Sequence, residues 1–175
     1  MNMSLFFVAV ACLFSCFPSF GQTAMKPYKA GHVFNISLPE YMSETKGINS
    51  AAAIQYKSVV KDVYGMVIFD TKHELALADM HYSSINEFFE DFIVDFLKEE
   101  EKRTVSKPKT TKKGDVTFME TDVTYYDKDA EAEIYYLVGI VETKNSFYKV
   151  ISWSAKETKD KFKPDFQKIL YSITD

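Results

Sequence analysis

The stretch A-E-I-Y-Y-L-V-G-I-V-E-T-K-N-S-F-Y-K-V-I-S-W, Ala132–Trp153, decides the fold. It reads as two long strands joined by a polar turn at Thr143–Ser146. In the first strand Ile134, Tyr136, Val138 and Ile140 fall on one face, and Tyr135, Leu137 and Val141 on the other. A strand apolar on both faces is covered on both, so the pair belongs in the middle of a sheet. The rest of the chain is expected to pack onto it.

Working outward, Val116–Tyr126 alternates and supplies the next strand, with Thr117, Met119, Thr121, Val123 and Tyr125 on one face. The turn Asp127–Glu131 joins it to the central pair. Its run D-K-D-A-E-A-E lacks the Gly and Glu of a calcium loop, which has Gly at position six and Glu at twelve; Ala132 and Val138 stand there. An ordinary charged turn is the reading. Ile54–Val60 and Val63–Thr71 predict a hairpin around Lys61-Asp62. His32–Leu38 alternates with Phe34, Ile36 and Leu38 inward, and Pro39 stops it. Gln22–Gly31, polar and containing Pro27, reads as a flexible lead.

Two helices are written in the apolar spacing. Ser84-Ile85-Asn86-Glu87 is a capping box. Behind it Ile85, Phe88, Phe89, Phe92, Ile93, Phe96 and Leu97 form one stripe at period 3.6, and Glu87, Glu90, Asp91 and Asp95 take the other side. This helix is expected over Ser84–Arg103, its Phe88, Phe92 and Phe96 ridge docked on the sheet. A shorter helical signal covers Glu74–Met80. Near the end, Phe162, Phe166, Ile169, Leu170 and Ile173 make a second stripe. Proline suits a first helical turn, so that helix is expected over Pro164–Ile173. It should pack on the opposite face of the sheet or across an end.

The chain has 175 residues, 46% of them hydrophobic, enough for a single core. Leu5–Phe17 is apolar but short of the about 17–25 residues that span a bilayer. With Ser19-Phe20-Gly21 behind it, it reads as a signal peptide over 1–21, cut before Gln22. Leu13-Phe14-Ser15-Cys16 offers an alternative, a lipoprotein signal with Cys16 acylated and the domain tethered to the membrane. Cleavage before Gln22 removes both cysteines, Cys12 and Cys16, leaving no thiol for a disulfide, a nucleophile or a metal. Residues 32–175 form the domain, in an exported protein of the periplasm or the medium.

No residue constellation points to catalysis. His73-Glu74 opens like a zinc-protease helix, but Leu77 and Ala78 stand where the second histidine would. There is no G-x-S-x-G and no phosphate-binding glycine loop. No cofactor is expected, and a net charge of -4 argues against nucleic acid. The sharpest charge feature is the switch from Glu99-Glu100-Glu101 to Lys102-Arg103, Lys107, Lys109, Lys112 and Lys113. Pro108 excludes a central strand there, and lysines suit an exposed edge. Lys107, Lys109, Lys112 and Lys113, with Tyr125, Tyr126 and Tyr135 of the neighbouring hairpin, are the candidate contacts for an acidic partner.

The order of elements resembles the PsbP-like family. The residues that carry this are Phe34-Asn35-Ile36-Ser37-Leu38-Pro39, the S-x-x-E-capped aromatic helix, the three-strand meander, and Ile169-Leu170-Tyr171-Ser172-Ile173 at the end. The likeness covers about Val33–Thr174; Tyr41 and Met42 stand where many members have a tryptophan. That fold is shared by an extrinsic subunit of the oxygen-evolving photosystem and a Ran-binding nuclear-transport protein. The resemblance implies an α+β domain, an antiparallel sheet of about five to seven strands flanked by helices. It also implies binding or assembly rather than catalysis. No partner or metal residue of the family can be placed on this sequence. The expected function is therefore a non-catalytic binding module of the bacterial envelope, with an envelope protein or complex as partner. A lipid or small-ligand carrier is the alternative, and a hydrolase stands third.

Overall fold

A computed structural model describes residues 23–31 and 33–175. The expected signal peptide over 1–21 with Cys12 and Cys16, the expected cut before Gln22, and His32 lie outside the described residues. The fold is α+β and mostly antiparallel. Its main sheet has eight strands in the order β3 (Ser43–Thr45), β4 (Ile54–Ser58), β5 (Val63–Thr71), β10 (Ser146–Ala155), β9 (Ala132–Glu142), β8 (Val116–Asp127), β6 (Glu101–Val105), with β7 (Lys109–Lys113) also paired to β8. A separate two-stranded ribbon joins β1 (Met25–Ala30) to β2 (Phe34–Pro39). The helices are α1 (Lys72–Leu77), α2 (Ile85–Asp95) and α3 (Lys159–Leu170).

The β9–β10 pair is central, as its two apolar faces require. Ile140 of β9 and Phe147 of β10 join Leu75, Ile85, Phe88 and Phe89 in one buried cluster under α1 and α2. Tyr135, Leu137, Val141, Tyr148 and Val150 join Phe162, Phe166, Ile169 and Leu170 in the other, under α3. The β1–β2 ribbon completes that second layer. Phe34 packs edge-on against Tyr148 at 5.0 Å, and Ser172 Oγ accepts from the Ser37 amide at 2.8 Å.

Four expectations need correction. Residues 25–30 are not a flexible lead; they form β1, in register from Met25↔Pro39 to Ala30↔Phe34. Its exposed Lys26, Pro27 and Lys29 hid any alternation, and backbone pairing holds it. The sheet exceeds five to seven strands because its open edge is made in two pieces. Pro108 offers no N–H to a ladder, so β6 and β7 separate there and pair with successive halves of β8. The first long helix ends near Asp95 rather than at Arg103. Leu97 turns the chain at φ +56°, and Arg103 comes back from β6 to donate to the carbonyls of Phe96 (2.8 Å) and Ile93 (2.5 Å). Two of that end's unpaired acceptors are met by one guanidinium. Finally, α3 starts at Lys159 and runs through Pro164. The proline forfeits one bond, to the Asp160 carbonyl, while the extra turn buries Phe162.

The capping box at Ser84 is half formed. Its hydroxyl accepts from the Glu87 amide, but Glu87 reaches one residue further back, to the amide and hydroxyl of Ser83. A complete box sits at Thr71–Glu74 instead, opening α1.

Candidate functional site

The candidate lysines sit on the open edge, but the pleat divides them. Lys109 lies opposite Glu120 and Lys113 opposite Val116, so both point to the α3 side of the sheet. Lys113 lies over the rings of Tyr171 and Phe118, at 4.5 and 5.6 Å from their centroids. Lys112, opposite Thr117, points the other way. Lys107 sits in the break between β6 and β7. Of the tyrosines, Tyr126 is half-buried beneath Lys102, whose ammonium is 4.5 Å from its ring centroid. Tyr125 and Tyr135 are corrections. Tyr135 is fully buried and Tyr125 is 8% exposed, so neither offers surface to a partner. Strand alternation gave them to the two sheet faces, both of which a helix layer covers.

Tyr135 nonetheless belongs to the most developed polar cluster on this edge. Its hydroxyl donates to Asp122 Oδ1 at 2.9 Å. Lys159 and Lys163 both reach Asp122 Oδ2, each at 2.8 Å. Burial alone would raise the Asp122 carboxyl, but the hydrogen bonds from Lys159, Lys163 and Tyr135 outweigh it and hold the group below its ordinary value. The Tyr135 hydroxyl is pushed well up, first by burial and then by the Asp122 charge. Two residues earlier on the same face, Glu120 is 6% exposed; its Oε1 accepts from Gln167 Nε2 at 2.8 Å.

These groups border a cleft of about 130 Å³ where the edge breaks, with Lys107, Lys109, Glu120, Asp122 and Lys163 among its walls. Ser106 anchors the break: its amide bonds the Asp122 carbonyl, its hydroxyl accepts from the Asp122 amide, and Thr121 Oγ1 donates to its carbonyl. The structure thus brings Lys107, Lys109 and the Tyr135 hydroxyl's acceptor together, and leaves Lys112, Lys113, Tyr125 and Tyr126 elsewhere. Sequence reading missed Glu120, Asp122, Lys159, Lys163 and Gln167. A signal was present. Carboxylates at i and i+2 in a strand share a face, as do lysines at i and i+4 in a helix.

The space between the phenylalanine ridge and the sheet is filled. Phe88 lies flat on Phe147, with centroids 4.4 Å apart and planes 7° from parallel. The histidines of α1 and its exit are not joined to either cluster: His73 opens the helix and His81 faces Asp79 at 3.4 Å. No described helix is long and apolar enough to cross a membrane.

An antiparallel sheet with a helix layer on each side, entered by a β-ribbon and closed by a C-terminal helix, is the PsbP-like fold. Cyanobacterial PsbP (CyanoP) from Synechocystis sp. PCC 6803 superposes with a TM-score of 0.59 at 14% identity, covering 93% of this chain and 98% of that one. LpqN of Mycobacterium tuberculosis, described as involved in cell envelope biogenesis, gives 0.58 at 9% identity, covering 87% and 91%. PA94, a protein of unknown function from Pseudomonas aeruginosa, gives 0.52 at 6%, covering 86% and 96%. No family model and no curated protein sequence matches the chain. At these identities the likeness concerns the fold.

Proposed function

We propose that this is an exported, non-catalytic binding or assembly module of the bacterial cell envelope. The observation that carries this reading is the filled interior. The α3 face of the sheet is closed by wholly buried Phe166, Ile169 and Leu170; on the other face the Phe88–Phe147 stack fills the space under α2, and the Tyr64–Trp153–Tyr136 stack beside it is half-buried. Whatever the domain recognises is therefore met at its surface, which weighs against a carrier with an internal lipid cavity. The chemistry at the edge also favours binding. Asp122 has both oxygens engaged by Tyr135, Lys159 and Lys163, so it is not free to work with Glu120 as an acid–base pair. The description of LpqN supports placing the module in the envelope. The apolar segment ahead of Gln22 supports export.

The partner is an envelope protein or complex presenting acidic groups to the β6–β7 edge. Among the described residues Lys107, Lys109 and Lys112 make no ion pair, so their charge is available. Affinity capture from envelope extracts tests this. Lys107→Glu with Lys109→Glu should abolish retention, and Lys112→Glu should report separately on the opposite side of the edge. A purified protein that turns over a substrate, or that comes out loaded with lipid and retains no envelope protein, would overturn it.

A further inference from the structure

We propose that the cleft at the break between β6 and β7 binds a small zwitterion, the ammonium–carboxylate unit of an α-amino acid. Its walls hold one unmet acceptor and several unmet donors side by side. Glu120 Oε1 is taken by Gln167; its buried Oε2 makes no hydrogen bond of ordinary geometry, although the Tyr171 hydroxyl also lies beside this carboxylate. A buried charged acceptor with an open valence is costly unless a donor reaches it. Lys109 stands directly across the ladder from Glu120, on the same side of the sheet, yet the two do not pair. Lys107 is equally unpaired. Lys163 and Lys159 share a single oxygen of Asp122, although an ammonium carries three donors, so each has donors to spare.

The charge balance selects the ligand. Four lysines (Lys107, Lys109, Lys159, Lys163) surround two carboxylates (Glu120, Asp122), a surplus of two positive charges. A simple anion meets that surplus but leaves Glu120 Oε2 without a donor, and a simple cation meets Glu120 but adds to the surplus. A zwitterion satisfies both, its ammonium on Glu120 Oε2 and its carboxylate on Lys109 and Lys163. Asp122 stays out of the exchange because its three donors already fill it. The volume agrees. A space of about 130 Å³ is several times the roughly 10–15 Å³ that one water needs on the same measure, room for the ammonium, Cα and carboxylate, with a side chain projecting through the open mouth. Glu120 Oε2 is shielded from solvent in this conformation, so binding requires a side-chain rearrangement at the cleft wall. Because Lys107 and Lys109 also belong to the proposed docking edge, occupancy of the cleft and partner binding are linked. The zwitterion site itself requires no partner.

The test is a ¹H–¹⁵N titration of the purified protein with glycine, with methylamine and acetate as half-ligands. Glycine should give saturable shifts centred on Ser106, Thr121 and Asp122, and each half-ligand should bind about tenfold or more weakly. Glu120→Gln keeps the shape and the contact with Gln167 and should weaken glycine by about tenfold or more. Lys109→Met should do the same and carries the test if the first variant fails to fold. Equal binding of acetate or methylamine would reduce the cleft to a simple ion site and overturn the proposal. So would the absence of saturable shifts, unchanged affinity in a folded Glu120→Gln protein, or a Lys109–Glu120 ion pair closing the cleft in solution. These readouts are independent of whether any envelope protein is captured.

Discussion

Phe88 of α2 and Phe147 of β10 stack face to face, their centroids 4.4 Å apart and their planes 7° from parallel. This contact fixes α2 to the centre of the sheet. Tyr82 closes on both rings edge-on, at 5.1 and 6.2 Å. Phe88 is 4% exposed, whereas Phe92, one turn on, is half-buried with the Lys149 ammonium 5.8 Å from its ring centroid. The ridge is thus anchored at its N-terminal end. Phe88→Ala should cost about 3–5 kcal/mol in denaturant unfolding. Phe92→Ala should cost roughly 1–2 kcal/mol, in keeping with partial burial. Equal losses would place the two rings at equal depth.

Gly65 lets the ring of Tyr56 lie across the sheet. The two residues are cross-strand partners, a Cβ at Gly65 would overlap that ring, and the tyrosine hydroxyl is tied to Ser152 Oγ at 2.9 Å. The ring cannot move without breaking that bond, so Gly65→Ala should destabilise by about 2–3 kcal/mol. Gly139 faces the end of the Leu170 side chain, which no hydrogen bond holds in place. Gly139→Ala should therefore cost less, about 1 kcal/mol. Thermal melts of the two variants check the order.

Asp122 gives the domain an acid-sensitive tie between β8 and α3. Its folded carboxyl lies below the ordinary value, so its contribution is complete above the unfolded carboxylate range. It is lost as pH falls from there through the folded value. Asp122→Asn should cost about 2 kcal/mol at neutral pH, since it weakens two lysine contacts at a mostly buried group. The gap to wild type should close as the pH drops below about 3.9. Denaturant midpoints measured across that range check the sign, and a gap that widened toward acid would refute it.

Much of this architecture was legible because its residues face only one choice. Ala132–Trp153 is apolar on both faces and could only be central. The stripe from Ile85 to Ile93 has one burial solution, beneath which Met119, Ile140 and Phe147 lie. What stayed illegible depends on contacts far apart in sequence. Lys26, Pro27 and Lys29 look like a lead because β1 is held by backbone pairing with β2, not by its side chains. The end of α2 depends on an arginine seven residues beyond Phe96. The lysine run marks the open edge of the sheet, but nothing in it marks the cleft. Glu120 and Asp122 acquire meaning only when α3 brings Lys159, Lys163 and Gln167 against them, 37 to 47 positions later.

Arg103 offers a local check on that helix end. Arg103→Lys keeps the charge but loses the fork that serves Phe96 and Ile93. A loss of about 1–2 kcal/mol is expected, together with faster amide hydrogen exchange confined to Phe92–Leu97. Uniform acceleration across α2 would mean that the arginine supports the whole helix.

The binding-module reading is tested most directly by site-specific photo-crosslinking in cells. A photoreactive residue is placed at Lys107, at Lys109 or, as a control, at Val94, which is 65% exposed on the outer side of α2. Positions 107 and 109 should yield the same discrete adduct with an envelope protein, and Val94 should not. Charge reversal at whichever of the two edge lysines is left unmodified should remove the adduct. Equal adducts at Val94 and at the edge, or no adduct at the edge from a protein that is exported and folded, would contradict docking through β6 and β7.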